Sequence, residues 1–258
     1  MKKVLFYLLF LFCAGEGSAQ ELFVNSEPAS NMAARSIGFR LGQEFKPVSD
    51  KLGYRVFPEI MVGFSSKFMS HLSLYASNIY QSSFQFEGAS LYGKYRFLAL
   101  DQVHSHFRTA VFGRASWSRN PNTFQEINLQ GDNSGFSGGL VLTQLLHKLA
   151  LSASLEFDHP LPYFDNQVTY SLSSGYLFLP FHYTSYKQTN LNFYIEVLGK
   201  SSLENHKGYL DIAPSFQFIF NSRTRLDFSY QKQISGNLSR FSREGFLIRL
   251  EYNIFNGF

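Results

Sequence analysis

Ser36-Ile37-Gly38-Phe39-Arg40-Leu41-Gly42-Gln43-Glu44-Phe45 decides the reading of this chain. Ile37, Phe39, Leu41 and Phe45 fall on one side of an extended backbone, and Ser36, Gly38, Arg40, Gly42 and Glu44 on the other. A period of two is the signature of a strand with two unlike faces. Burying Arg40 and Glu44 in a dry core is costly, whereas facing a water-filled lumen they are well solvated.

The same alternation recurs down the chain. Ile60, Val62 and Phe64 oppose Glu59 and Met61; Leu72 and Leu74 oppose Ser73 and Tyr75; Leu91, Tyr95 and Phe97 oppose Tyr92, Lys94 and Arg96. Phe107, Thr109 and Val111 oppose Arg108 and Arg114, while Gly138 and Gly139 blur the faces of Phe136 to Gln144. Leu149 to Phe157 is clean, with Ser152, Ser154 and Glu156 on its polar side. Tyr170 to Leu179, Leu191 to Leu198 (with Glu196) and Leu210 to Phe220 (with Asp211) follow. Arg225 and Asp227 face away from Leu226 and Phe228, and Arg249 and Glu251 face away from Ile248 and Leu250. About twelve strands result, an even number, as in single-chain bacterial barrels. The expected fold is all-β: a transmembrane antiparallel up-and-down β-barrel over residues 34–258.

Composition agrees. The 258 residues are 17% aromatic, with 29 Phe and 15 Tyr, yet only 45% hydrophobic, and mean hydropathy is slightly negative. A soluble β-sandwich also gives half-buried alternating strands. Here, however, Phe, Tyr and Leu crowd one face of almost every strand while Gly and Ser crowd the other, and a closed barrel leaves no unpaired backbone in lipid. No internal repeat or low-complexity tract interrupts the pattern.

The first residues read as an export leader. Lys2 and Lys3 precede an apolar run from Val4 to Cys13, and Gly17-Ser18-Ala19 offers a cleavage site after Ala19, so residues 1–19 are expected to be a signal peptide. The run is too short to cross a bilayer as a helix. Cys13 is the one cysteine, and bulky Phe12 before it suits lipoprotein processing poorly. Loss of Lys2, Lys3 and Glu16 takes the net charge from +4 to +3, spread thinly, which argues against a nucleic-acid partner. Links from Ser66 to His71, Leu145 to Lys148 and Asn221 to Arg223 are short; those from Arg119 to Ser134, Asp158 to Val168 and Lys232 to Arg243 are long. Leu98 to Ser105 and Pro180 to Asn190, on the short side, are looser. Short periplasmic turns and long outer loops put both termini, and a segment 20–33, in the periplasm.

The chain ends on Phe258, with Ile254, Tyr252, Leu250 and Ile248 at steps of two before it; Asn256 breaks the series. This ending resembles the C-terminal signal by which outer-membrane proteins are handed to the barrel-assembly machinery, and Phe258, Tyr252 and Leu250 carry the likeness. Four stretches also resemble a family of small Gram-negative outer-membrane barrels described only as candidate transporters. They are Glu27-Pro28-Ala29-Ser30-Asn31-Met32, Tyr95-Arg96-Phe97 with Val103 to Arg108, Tyr183 to Asn192, and Glu244 to Phe258. The resemblance implies the fold and an association of some members with heavy-metal handling.

Candidate sites follow from placement. Arg40, Glu44, Glu59, Lys94, Arg96, Arg108, Arg114, Glu156, Glu196, Asp211, Arg225, Asp227, Arg249 and Glu251 are expected to line the lumen, either bracing it or marking an ion path. A slight Arg excess favours anions if a path is open. His104 and His106 share one side of an extended segment; with Met32, His71, His147 and His182 they gather at the expected periplasmic rim, a soft donor set suited to copper, zinc or nickel. Turn residues beside a wet interface are the plainer reading, and no spacing matches a closed zinc site. No cofactor is implied. Ser105 lies between His104 and His106, but neighbouring strand residues point oppositely, and no Gly-x-Ser-x-Gly elbow or phosphate loop occurs. Asn237-Leu238-Ser239 is a chance glycosylation triplet. The sequence therefore points to a passive channel for small solutes or ions, not an enzyme. The alternative is a sealed barrel whose periplasmic rim binds a partner or a metal ion.

Overall fold

The computed structural model describes residues 23–48, 51–81, 83–103, 105–162, 165–181, 185 and 187–258. The expected leader, 1–19, and residues 20–22 lie outside them. Twelve strands follow one another: β1 (Ser36–Val48), β2 (Lys51–Gly63), β3 (Phe68–Ser77), β4 (Gln85–Gln102), β5 (Ser105–Ser118) and β6 (Ser134–Leu146), then β7 (Leu149–Leu161), β8 (Gln167–Leu179), β9 (Asn190–Ser202), β10 (Gly208–Phe220), β11 (Thr224–Gly236) and β12 (Glu244–Ile254). Each pairs antiparallel with its sequence neighbours, and β1 closes the ring on β12 from Ile37↔Ile254 to Phe45↔Phe246. Closure is what lipid demands, because an open edge would leave N–H and C=O groups without partners.

Register fixes the two faces. Phe39, Leu91, Leu155, Leu172 and Phe246 point outward, exposed by 48%, 55%, 58%, 62% and 52%. Their strand neighbours Arg40, Ser90, Lys94, Ser171 and Ser173 are buried inside. The exterior is thus an apolar belt and the interior a polar one, and the chain lies in the cell outer membrane. Among the described residues no helix is long and apolar enough to span a bilayer.

The strands run further than the alternation suggests. β2 begins at Lys51, well before Glu59, and continues through Pro58, a residue that normally argues against a strand interior. Its Arg55 and Phe57 face inward with Glu59 and Met61. β7 and β9 carry on to Leu161 and Ser202, adding Asp158 and Lys200 to the interior. At the other end of the chain β12 stops at Ile254, and Asn256 takes a positive φ of 54°, a conformation Asn tolerates better than most residues. Tyr252 and Leu250 face outward as read, while Phe258 lies beyond the last strand, exposed.

The segment 20–33, read as periplasmic, is described from Phe23 onward, and Phe23, Val24 and Ala29 are buried inside the barrel. The polar wall offers its backbone fixed hydrogen-bond partners such as Glu196, Thr143 and Lys94.

Leu172 sits near the middle of β8 on the lipid face. Leu172→Arg is expected to destabilise the inserted barrel by about 2–4 kcal/mol, measured as a shift in the urea unfolding midpoint in lipid vesicles. Ser173→Ala, one residue on and facing inward, should shift it far less.

Candidate functional site: a chamber between two closures

The first closure is the chain from Phe23 to Ala33, which enters at the end of the barrel where β1 begins and β12 ends and crosses the lumen. Its polar groups are matched one by one to the wall. The Glu196 carboxylate on β9 accepts hydrogen bonds from the amides of Val24 (3.1 Å), Asn25 (2.7 Å) and Ser26 (3.0 Å), from Asn25 Nδ2 (3.0 Å) and from Ser26 Oγ (2.7 Å). The Ala29 amide donates to Thr143 Oγ1 at 2.8 Å. Lys94 Nζ donates to the carbonyls of Pro28 (2.6 Å) and Ser30 (2.9 Å), and Arg249 reaches the Phe23 carbonyl. Arg108 donates to Ser30 Oγ, and Arg40 pairs with Glu27 at 3.1 Å. Apolar contacts seat both ends: Phe23 and Val24 with Leu145, Ala150 and Tyr194, and Ala29 with Ala110 and Val141. The partners come from strands right around the ring, so the segment spans the lumen instead of hugging one wall.

The second closure enters from the opposite end. The connection 119–133 between β5 and β6 folds inward, burying Ile127 and Leu129. Gln167 accepts from the Ile127 amide at 3.0 Å, and Lys200 Nζ donates to the Ile127 carbonyl while pairing with Asp158 at 2.9 Å. Glu126 accepts from Tyr209 Oη at 2.7 Å and faces Arg240 at 3.4 Å. Arg240 also pairs with Asp211 and stacks 3.8 Å over the Tyr209 ring. Asp132 pairs with Arg55, which is held from the other side by Glu87 at 2.7 Å. Burial alone would raise the Asp132 pKa, but Arg55 and Lys46 outweigh it and hold the carboxyl below its ordinary value.

Between the closures lies a cavity of about 280 Å³, just under the usual range of roughly 300–1,000 Å³ for ligand pockets. Val24, Asn25, Ser26 and Glu27 form its floor, and Glu126, Asn128 and Gln130 its roof. Its wall holds Arg40, Glu59, His71, Tyr75, Tyr92, Arg114 and Glu156. Phe57 also lines it, packed where a side chain at Gly42 would stand: a Cβ on that glycine would come within 2.1 Å of the ring.

The expected lumen residues fall into groups. Arg40, Glu251, Arg225, Asp227 and Arg249 form a chain of ion pairs, at 2.9 Å (Arg40–Glu251), 2.7 Å (Arg225–Glu251), 3.3 Å (Arg225–Asp227) and 2.7 Å (Arg249–Asp227). They brace β1, β11 and β12. Glu59 faces Arg40 at 3.5 Å, and Glu44 pairs with Lys46 at 3.0 Å. Lys94, Arg108 and Glu196 hold the floor, and Asp211 holds the roof. Arg96 is half-buried on β4. Arg114 and Glu156 belong to neither closure. Residues that the sequence does not place in the lumen complete the site: Glu27, Arg55, Glu87, Asp132, Asp158, Lys200 and Arg240.

Among the described residues the candidate rim ligands stand apart. His104 and His182 lie outside the described residues. His106 Nδ1 is 2.8 Å from Asp101 Oδ1, and His147 is exposed in a turn. His71 is not a turn residue: it is buried within β3, its ring 5.1 Å from that of Tyr92. Met32 packs by Gly38 next to Met61, inside the lumen. Among the described residues no group of three or more His, Cys, Asp or Glu side chains is placed to hold a metal ion.

No family model and no curated protein matches the chain. Its fold is similar to that of the COG4313 outer membrane channel from Pseudomonas putida F1, with a TM-score of 0.62, 10% identity, and 90% of this chain and 100% of that one covered. The KdgM porin aligns at a TM-score of 0.47 with 12% identity over 84% of this chain and 98% of that one. The likeness is one of architecture. In architecture, the chain is a closed twelve-strand outer-membrane β-barrel.

Proposed function

We propose that the protein is a narrow passive channel for small solutes or ions, closed in this conformation by its own Phe23–Ala33 segment and by the connection 119–133. The observation that carries the reading is the way the closures are attached. Neither adds a strand to the sheet. Both are held by side chains projecting from a wall whose own ladder is complete without them, so either can leave without opening the barrel. Hydrogen bonds to a charged group contribute about 1.5–3 kcal/mol each, and water can replace them when the segment withdraws. A lumen lined by charged and amide side chains is also the environment through which a hydrated solute passes at little cost.

The division into a leader (1–19), an N-terminal segment (20–33) whose part from Phe23 onward acts as the stopper, and a barrel (34–258) belongs to the same proposal, as do the barrel-assembly machinery and lipid as partners. Set beside the alternative of a sealed barrel whose periplasmic rim binds a partner or a metal ion, the engagement of Phe23–Ala33 inside the barrel supports the channel reading.

Glu196 is the main anchor of the floor. Glu196→Gln keeps the shape but turns an amide NH₂ toward the donors of Val24, Asn25 and Ser26. In planar bilayers the wild-type protein is expected to open rarely, and Glu196→Gln at least tenfold more often. Silence of both proteins sinks the channel reading.

The roof should respond to acid. Because the folded-state pKa of Asp132 is lowered, its contribution is present above the ordinary carboxylate pKa and is lost as pH falls through the depressed value. A nitroxide at Thr123→Cys should stay immobilised down to about pH 4 and become mobile only in stronger acid. Asp132→Asn should abolish that transition.

A further inference from the structure

The interior charges are almost all spoken for, which makes the exceptions informative. Arg40, Lys46, Arg55, Lys94, Lys200, Arg225, Arg240 and Arg249 each have a carboxylate within 4 Å. Arg114 has none among the described residues. Its guanidinium donates to Ser90 Oγ at 3.2 Å and lies 5.2 Å over the Tyr92 ring. Glu156 is the counterpart: a chamber-lining carboxylate that accepts from Ser137 Oγ and has no cation within 4 Å among the described residues.

The register places these groups along one band of the wall. His71 pairs with Tyr92, Tyr92 with Arg114, and Arg114 with Ser137, whose hydroxyl reaches Glu156 on the next strand. Arg114 and Glu156 therefore stand two strands apart and two residues out of register, roughly 12 Å at the backbone given a strand spacing of about 4.8 Å and a rise of about 3.4 Å per residue. Two further groups on this band are buried without a hydrogen bond among the described residues: Tyr92 Oη and His71 Nε2, in residues 3% and 4% exposed. Both residues line the chamber. Buried polar atoms are normally satisfied, so an unsatisfied pair facing a cavity marks a place for a ligand or for water. Beside them Phe57, Tyr75 and Phe112 give the chamber an aromatic wall.

We propose that Arg114 and Glu156, with Tyr92 Oη, form a binding site for a zwitterionic solute of the free α-amino-acid type. Its carboxylate faces the Arg114 guanidinium and the Tyr92 hydroxyl, its ammonium faces Glu156, and its side chain lies against Phe57, Tyr75 and Phe112. A carboxylate and an ammonium on one carbon, each reaching its partner by a hydrogen bond of about 2.8 Å, bridge the gap between two charges that do not reach each other. A simple anion would meet Glu156, and a simple cation would meet Arg114. The inference rests on the channel reading, which it deepens by naming the solute class.

The test is calorimetric titration of the full-length protein, folded in detergent, with L-phenylalanine, 3-phenylpropionate and 2-phenylethylamine. It is run on the wild type and on Glu196→Gln, whose loosened floor admits the solutes. L-Phenylalanine should saturate, and each singly charged analogue should bind at least tenfold more weakly. Arg114→Gln and Glu156→Gln should each weaken L-phenylalanine at least tenfold, while Glu156→Gln binds 3-phenylpropionate at least as well as the parent does. Heat-modifiable migration on gels reports folding. If the Arg114 variant does not fold, the ranking of the three solutes on the parent proteins decides alone. Equal affinity for all three, or no saturation by L-phenylalanine in either parent, overturns the site. The currents of Glu196→Gln without organic solute report the channel separately. A conducting protein that ignores L-phenylalanine loses only the site, and a silent one that binds it loses only the channel.

Discussion

In the hydrocarbon of a bilayer no water is present to take up a stray N–H or C=O, so a β-sheet survives there only as a closed ring. That constraint sets the rest of the structure. Once β1 is bonded to β12, the pleat leaves no choice about which residues meet lipid: Phe39, Leu91, Leu172 and Phe246 do, and Arg40, Lys94, Ser173 and Glu251 cannot. The interior is then polar by necessity. It cannot collapse as an apolar core would, since strand number and stagger fix its width. Such a lumen is filled by water, by side chains or by more of the chain, and this barrel uses the last two at both ends.

The two closures use different chemistry. At the floor the recognised groups are mostly backbone amides and carbonyls, which receive Glu196, Thr143, Lys94 and Arg249. Most of those interactions depend little on the charge of the segment itself. At the roof, charged pairs dominate: Asp132 with Arg55, Glu126 with Arg240, and Lys200 reaching across from Asp158 to the Ile127 carbonyl. Ion pairs respond to acid and, where solvent reaches them, to salt, whereas buried amide contacts respond mainly to competition from other hydrogen-bonding groups. A barrel closed in these two ways is sensitive to the medium on one side and to displacement on the other.

Much of the fold was legible because alternation is a local signal. The strand from Ser36 to Phe45 needs only ten residues to declare two faces, and the interior positions read from it, Arg40 and Glu44, stand where period two puts them. The misses have physical causes. The alternation read in β2 starts only at Glu59, so Arg55 lies outside it, although the outward positions Leu52, Tyr54 and Val56 carry the same pattern up to Pro58. Asp158 and Lys200 lie past the point where the outer face stops being greasy, because strands here continue beyond the ~9–11 residues needed to cross the hydrocarbon. The Phe23–Ala33 segment has no period at all. Its place depends on Glu196 and Lys94, far away in sequence, and nothing local in Asn25-Ser26-Glu27 announces a partner.

His71 closes the short link that the sequence places from Ser66 to His71, yet β3 already starts at Phe68. Inside the barrel its meaning changes. A histidine at a wet rim is solvated and needs no explanation, but one buried beside Tyr92 with Nε2 unbonded is a polar atom taken from water without compensation. The same holds for Tyr92 Oη, and for the charges of Arg114 and Glu156, each short of an opposite charge. Elsewhere in this lumen the wall meets such demands with ion pairs and hydrogen bonds of its own. Four unmet groups on one band of the wall, open to one chamber, amount to a single complementary shape: negative toward β5 and positive toward β7. The wall meets most of its other charges with ion pairs of its own and leaves that shape to be filled from outside.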